Sequence, residues 1–341
     1  MPAPDYLVQI LGLLGKEETT YGSAVALATT ADGIQLQFEN RDYPAITMDD
    51  AYDGDLGPSV GNLGNVLRAA KSGRSWTYDA PTRAKGGNAA YSASVLPSIH
   101  RLLKASGFDA ALTTTTGSEK YDYTPTAPGT TYTSLTTNLY AHGVLYAGVG
   151  VLADWSWEAP NNGPPTHRFK LNGYFSADAS RAAAPTITYP LTSVQAPLAS
   201  SVALTLGNHA ASAVCYASSF ALNREILPRV AQTASGGHLG FVPRGRSPEF
   251  KVTLEGKAFV GSPYTGANTF DPYKLEETGQ NFAFQIDFGS TQYNRWRMIC
   301  AQAQVVKAEP RVVNGVACFE LTIRPYTSTP VAADDLTVRF D

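Results

Sequence analysis

Stretches of strict hydrophobic–polar alternation punctuate the chain, separated by runs with no period. Ile34, Leu36 and Phe38 alternate with Gln35, Gln37 and Glu39, the signature of a half-buried strand. Strand-like patterns resume at 75–80 and 89–95 around a Gly86-Gly87 turn, then at 121–125 and 134–140. A long hairpin is predicted next. Residues 144–157 rise, the proline- and glycine-rich 160–165 turn, and 168–175 return. The second half follows the same outline. Val202, Leu204 and Leu206 predict a strand, 215–222 another, Phe250, Val252 and Leu254 a third, and 282–288 a fourth. A closing hairpin starts at 296–306, turns at Asn314-Gly315 and returns through Phe319, Leu321 and Ile323, before a final strand through Leu336, Val338 and Phe340.

Helices are few. Residues 97–106 put Ile99, Leu102, Leu103 and Ser106 on one face, with Pro97 in the first turn, Lys104 in the last and Gly107 as the stop. A second, short helix is predicted at 273–278. Three stretches read as irregular: a long loop over 42–76, a glycine-containing loop over 228–243, and a polar, permissive arm ending at Tyr21-Gly22. Over 176–197 the composition shifts to Ala, Ser, Thr and Pro. The expected fold is mainly β, with two tandem β-sandwich or barrel domains, each with a short flanking helix. Residues 1–178 form the arm and first domain, 179–199 a linker and 200–341 the second domain. The shared order of parts points to a duplication.

Composition narrows the function. Only 16% of the 341 residues are charged, below the roughly one quarter of an average soluble domain, and the formal net charge is −3. No basic stripe suited to gripping nucleic acid is present. The three cysteines are far apart. Cys300 and Cys318 sit in apolar runs and are expected to be buried thiols in a reducing compartment, a disulfide between them being the alternative. Leu7 to Leu14 is apolar but follows Asp5 and no basic segment, so no signal peptide is expected. No run is long enough for a membrane-spanning helix.

The chemistry searched for is missing. Gly148-Val149-Gly150-Val151-Leu152-Ala153 loosely fits a dinucleotide fingerprint but lies inside a hairpin with no following helix. No Gly-x-Ser-x-Gly elbow exists, and the five histidines lack metal spacing: His100 reads as a solvated helix residue, and His142, His167, His209 and His238 as surface or turn residues. Residues 48–55 are acidic enough to suggest a calcium loop, yet lack the alternating ligand register and the distal Glu. Trp155 and Trp157 share one strand face, which suits packing better than sugar stacking. A transmembrane barrel fits the alternation, but an export signal and a terminal Phe are both missing. No enzyme, cofactor or metal is expected.

Several segments carry a resemblance in their order and spacing. These are Lys16-Glu17-Glu18-Thr19-Thr20-Tyr21-Gly22 with the strand after it; Leu102-Leu103-Lys104-Ala105-Ser106-Gly107-Phe108; Tyr121-Asp122-Tyr123-Thr124-Pro125 followed by Ser134-Leu135-Thr136; His142-Gly143-Val144-Leu145-Tyr146 with Gly148; and Lys170-Leu171-Asn172-Gly173. Together the chain resembles the major tail tube proteins of long-tailed (siphovirus-like) bacteriophages. The second half matches less specifically, and 49–73 departs most. The resemblance implies a structural subunit that stacks in rings around a lumen, joins its sheets to those of neighbours, and lets double-stranded DNA pass without gripping it. Polar to acidic lumen walls are expected. Tandem domains imply a trimer with pseudo-sixfold symmetry, and a single-domain reading a hexamer. Implied partners are other copies, a tape-measure protein, a tail terminator and tail-tip proteins, in a virion tail assembled in the bacterial cytoplasm. Lys16, Glu17, Glu18 and Tyr21 of the arm, with Asp49, Asp50, Asp53 and Asp55 of the loop, are the expected ring-to-ring contacts. The alternatives are a terminator or distal-tail ring protein, which forms closed rings only, and a β-sandwich carbohydrate-binding module, which stays monomeric.

Overall fold

A computed structural model describes residues 12–37, 44–49, 72–127, 129–141, 143–160, 163–176, 180–182, 184–198, 203–207, 214–230, 238–256, 270–329 and 332–341. The chain is mainly β. In the first half, β1 (Gly12–Glu17), β2 (Gly33–Ile34), β3 (Ala45–Asp49) and β4 (Ser72–Thr82) precede helix α1 (His100–Ala105). Then come β5 (Phe108–Thr113), β6 (Lys120–Pro125), β7 (Leu135–Ala141), β8 (Val144–Ala159), β9 (Thr166–Phe175) and β10 (Ser180–Arg181). The second half begins with β11 (Ala203–Leu206), β12 (Cys215–Ala221), β13 (Glu225–Val230), β14 (His238–Gly245) and β15 (Glu249–Glu255). Helix α2 (Pro272–Thr278) leads into β16 (Phe282–Phe288), β17 (Trp296–Val313), β18 (Val316–Pro325) and β19 (Thr337–Phe340).

The pairings repeat. In the first half β1 pairs with β7, β7 with β8, β8 with β9, β9 with β4, and β4 with β3, all antiparallel. In the second half β11 pairs with β16, β16 with β17, β17 with β18, β18 with β15, and β15 with β12, again all antiparallel. Helix α1 packs on β8 and α2 on β17, the first long strand of each hairpin. After each hairpin a short strand pairs with the start of that long strand, β10 on β8 and β19 on β17. The halves differ by two hairpins: β5–β6 follows α1 only in the first, and β13–β14 interrupts the second between β12 and β15.

Two seams join the halves. At the first, β8 pairs with β12, with Trp157 opposite Phe220 and Ser156 opposite Ala221. At the second, β6 pairs with β19, and Arg339 grips Asp122 through Nε (2.6 Å) and Nη2 (3.1 Å). One hydrophobic core runs through both halves, from Leu13 to Phe340. Its centre is aromatic. Trp157 meets Trp296 edge-on at 5.6 Å and Phe288 at 5.2 Å, while Phe220 packs 5.0 Å from Trp155. Arg224, just past β12, reaches back to the C-terminal end of α1, where its Nη1 donates to the Ala105 carbonyl at 3.0 Å. A cation suits that end of the helix, where carbonyls lack partners.

Several elements depart from expectation. The arm is a strand. Residues 12–17 form β1, paired with β7 and β2, and Leu13 and Leu14 are buried. Of the strand expected over 34–39, only Ile34 lies in a strand, β2; residues 35–37 are not strand, and 38–39 lie outside the described residues. The long loop over 42–76 contains β3 and the start of β4, and the loop over 228–243 is the β13–β14 hairpin. Residues 89–95 are not a strand. The linker is not free chain where it is described: the Thr188 N–H donates to the Thr29 carbonyl at 2.8 Å, and Val194 is buried. The pairings leave an open sheet rather than a closed barrel. Helix α2 falls where expected. Asp271 caps it by accepting from the Tyr273 and Lys274 N–H groups, Pro272 suits the first turn, and Gly279 takes the left-handed conformation at its end.

Candidate self-assembly surface

The Lys16–Tyr21 stretch is bound to its own chain. Lys16 Nζ donates to the Ala26 carbonyl at 3.3 Å. Glu17 receives His100 at 3.4 Å and Lys104. Burial works against its charge, but the hydrogen bonds and positive charges of His100 and Lys104 prevail and hold its carboxyl down to about 2. His100 is therefore not a solvated helix residue, since its Nδ1 also meets Tyr123 Oη at 2.7 Å. Glu18 is a hub. Its carboxylate accepts from Gly22 N–H (2.8 Å), Gly150 N–H (2.8 Å), Ser134 Oγ (2.5 Å) and Thr136 Oγ1 (3.0 Å). Tyr21 Oη donates to the Gly150 carbonyl at 3.2 Å and accepts from the Phe241 N–H at 2.5 Å, clamping the β13–β14 hairpin over β8. Gly240 and Gly150 both have positive φ and crowd the Tyr21 ring, where a side chain would collide.

This clamp gives a direct expectation. Glu18→Ala strands two backbone donors and two hydroxyls, and should lower unfolding free energy by about 2–3 kcal/mol. Denaturant titration measures it; a change within error would mean that water substitutes for the carboxylate. Asp49 ends β3, and Asp50, Asp53 and Asp55 lie outside the described residues.

A different surface emerges from the strand order. β3, β4, β9, β8, β12, β15, β18 and β17 form one eight-strand run. One face is apolar, with Trp76, Tyr78, Trp155, Phe250 and Leu321 all buried against the rest of the chain. The opposite face carries cross-strand ion pairs, Asp79 with Arg168 at 3.1 Å, Glu249 with Arg324 at 3.0 Å and Glu320 with Arg311, and one pair along β17, Glu309 with Lys307 at 2.7 Å. Each pair cancels its own charge, so this face is polar without being strongly acidic.

Among the described residues the run is open at both ends. Among the described residues β3 pairs only with β4, leaving its outer edge without a strand. On β17 the edge away from β18 is covered by β16 as far as Ala303, and no described strand pairs beyond that residue. Both open edges expose large apolar side chains, Ile46 at 45% and Val312 at 72%. The β17 edge carries familiar protection against indiscriminate pairing: Pro310, which has no N–H, and the charges of Lys307, Glu309 and Arg311. Near its start, the Ala308 N–H donates to Glu276 of α2 at 2.8 Å.

Sequence reasoning did not single out Ile46, Val312 or His167. The first two look unremarkable without the pairing scheme. His167 reads as a turn residue but is fully buried, stacked on Trp155 and edge-on to Trp296 at 4.9 Å. The cysteines are free, with Cys300 and Cys318 buried as expected. A scan against protein-family models and a search of curated proteins find no match to this chain.

Proposed function

We propose that the chain is a structural subunit of a phage tail tube, assembling with its own copies into rings that stack around a DNA conduit. The observation that carries this reading is the eight-strand run: two halves of like strand order, joined at β8–β12, with the corresponding edges, β3 and β17, open on either side among the described residues. A unit that repeats internally and is open at both ends propagates by the contact it already contains. Adding copies edge to edge continues the sheet, and a closing ring removes the exposed edges. The apolar face of the sheet is covered by the chain itself, so the ion-paired face turns to the conduit. Paired charges there offer DNA phosphates no net field to bind. The role is structural rather than catalytic. Three copies of a two-part subunit make a pseudo-sixfold ring, and the hexamer is the alternative count. Partners are the tape-measure, terminator and tail-tip proteins, and the destination is the virion tail, reached from the bacterial cytoplasm.

Negative-stain microscopy of the purified chain, with light scattering for mass, tests the proposal. Tubes or stackable rings are expected, with threefold or pseudo-sixfold symmetry. A chain that stays monomeric at high concentration, even with tail-tip components added, would overturn it.

A further inference from the structure

Resting on the tube reading, we infer that neighbouring copies join by pairing β3 of one copy with β17 of the next in a defined antiparallel register, with Ile46 opposite Val312 and Ala45 opposite Val313. The register comes from the seam inside the chain. Reading across the two hairpins, Ala153 opposite Leu171 and Trp155 opposite Phe169 correspond to Ala308 opposite Leu321 and Pro310 opposite Phe319. Three of these four correspondences preserve the residue type. Continuing outward, Trp157 opposite His167 corresponds to Val312 opposite Ala317, and Glu158 opposite Thr166 to Val313 opposite Val316.

The other edge aligns in the same way. Ile46 opposite Trp76 opposite Gly173 corresponds to Phe220 opposite Phe250 opposite Ile323. Ala45 opposite Thr77 corresponds likewise to Ser219 opposite Lys251. Inside the chain Phe220 sits opposite Trp157 and Ser219 opposite Glu158. Transferring that seam to the open edges sets Ile46 against Val312 and Ala45 against Val313.

Two independent features agree with the transfer. Phe220 and Trp157 are 2% and 1% exposed, whereas their counterparts Ile46 and Val312 are among the exposed large apolar residues. The seam therefore has its apolar pair buried, and the open edges have theirs uncovered. The proline is also compatible. At its counterpart, the Trp155 N–H goes to Asp154 Oδ1 at 2.9 Å rather than to the partner strand, while the Trp155 carbonyl accepts from the Leu222 N–H at 2.9 Å. A residue without an N–H at position 310 gives up nothing the seam uses.

Cysteine cross-linking in assembled protein tests the register. Ala45 and Val313 fall at a non-hydrogen-bonded pair, where Cα atoms approach to about 4.5 Å, within disulfide reach. The double variant Ala45→Cys with Val313→Cys, oxidised after assembly, should give a ladder of linked chains on a non-reducing gel, topped by the closed ring. That top band counts the copies. Ala45→Cys with Arg311→Cys, slipped by two residues, should link no better than the wild type with its native thiols. Assemblies that link at the slipped pair, or not at all, overturn the register and leave the tube reading standing. A wild-type chain that never assembles overturns both. A charge swap gives a second readout that does not depend on the cysteine variants. Ile46→Lys and Val312→Glu should each abolish rings alone and restore them when the two changes are combined in one chain, which sets Lys against Glu at every junction whatever the number of copies. Failure of that rescue in folded protein also counts against the register.

Discussion

Trp157→Ala should lower the unfolding free energy by about 3–5 kcal/mol, the range for truncating a large buried aromatic. Trp157 lies on β8 at the seam, and the ring and sulfur contacts of its side chain reach into the second half. Its indole packs on Phe220, Phe288 and Trp296, and its Nε1–H points at Met298 Sδ at 3.0 Å. The truncation therefore opens a cavity between the halves rather than inside one of them, and leaves β8–β12 held by backbone hydrogen bonds and the Trp155–Phe220 contact. Because the core is continuous across the seam, denaturant unfolding should remain a single transition, shifted to lower denaturant, in both near-ultraviolet and far-ultraviolet circular dichroism. Two separated transitions, one of them at the wild-type midpoint, would show that the halves are stable alone and that the seam contributes little.

Much of the sheet is legible in the sequence because one face of each central strand is buried. Alternation over 144–157, 168–175, 250–254 and 282–288 survives as β8, β9, β15 and β16, where a slip of one residue would expose the whole apolar set. Helix α2 is legible from its cap, first-turn proline and glycine stop. What failed to show was set by distant partners. β1 reads as a polar arm because Lys16, Glu17 and Glu18 are charged, yet Lys16 is answered by the nearby Ala26 carbonyl, and Glu17 and Glu18 by groups far along the chain. β3 is a short strand whose outer edge has no partner strand among the described residues, so its Ala45 and Ile46 are both exposed and give no alternation to read. The β13–β14 hairpin reads as loop because of Pro228, Gly240 and Pro243. It is held in place by Tyr21 and by Tyr174, whose hydroxyl donates to the Gly240 carbonyl at 2.6 Å.

The candidate surface was less legible still, and for a clear physical reason. Edge positions carry no packing signal of their own, so Ile46 and Phe220 share a place in the topology without sharing a residue. The expectation of ring contacts from Lys16, Glu17, Glu18 and Tyr21 came with the tail-tube resemblance and with reading this stretch as a free arm. In the fold these groups are committed to holding β1, α1, β7, β8 and the β13–β14 hairpin together. Any contact they make with another ring is additional to that work.

Acid should weaken the fold in two separable steps, and His167 sets the first. The imidazole is fully buried, its Nδ1 accepts from Trp155 Nε1–H at 3.2 Å, and its Nε2 has no partner among the described residues. Burial pushes its pKa down from 6.5 to about 3, and the positive charge of Arg83 pushes the same way. Between these values the unfolded chain binds a proton that the folded chain refuses, so stability falls as pH drops from 6.5 toward 3. The slope approaches about 1.4 kcal/mol per pH unit, for a total on the order of 4–5 kcal/mol. Glu17 works in a lower window. Its depressed pKa contributes stability that is complete above 4.5 and is lost as pH falls through about 2. His167→Phe should therefore flatten the melting temperature between pH 6.5 and 4.5 and leave the decline below that range. A variant that loses stability with the wild-type slope between pH 6.5 and 4.5 would show that another group carries the acid response, and that the imidazole reaches a proton acceptor in the folded chain.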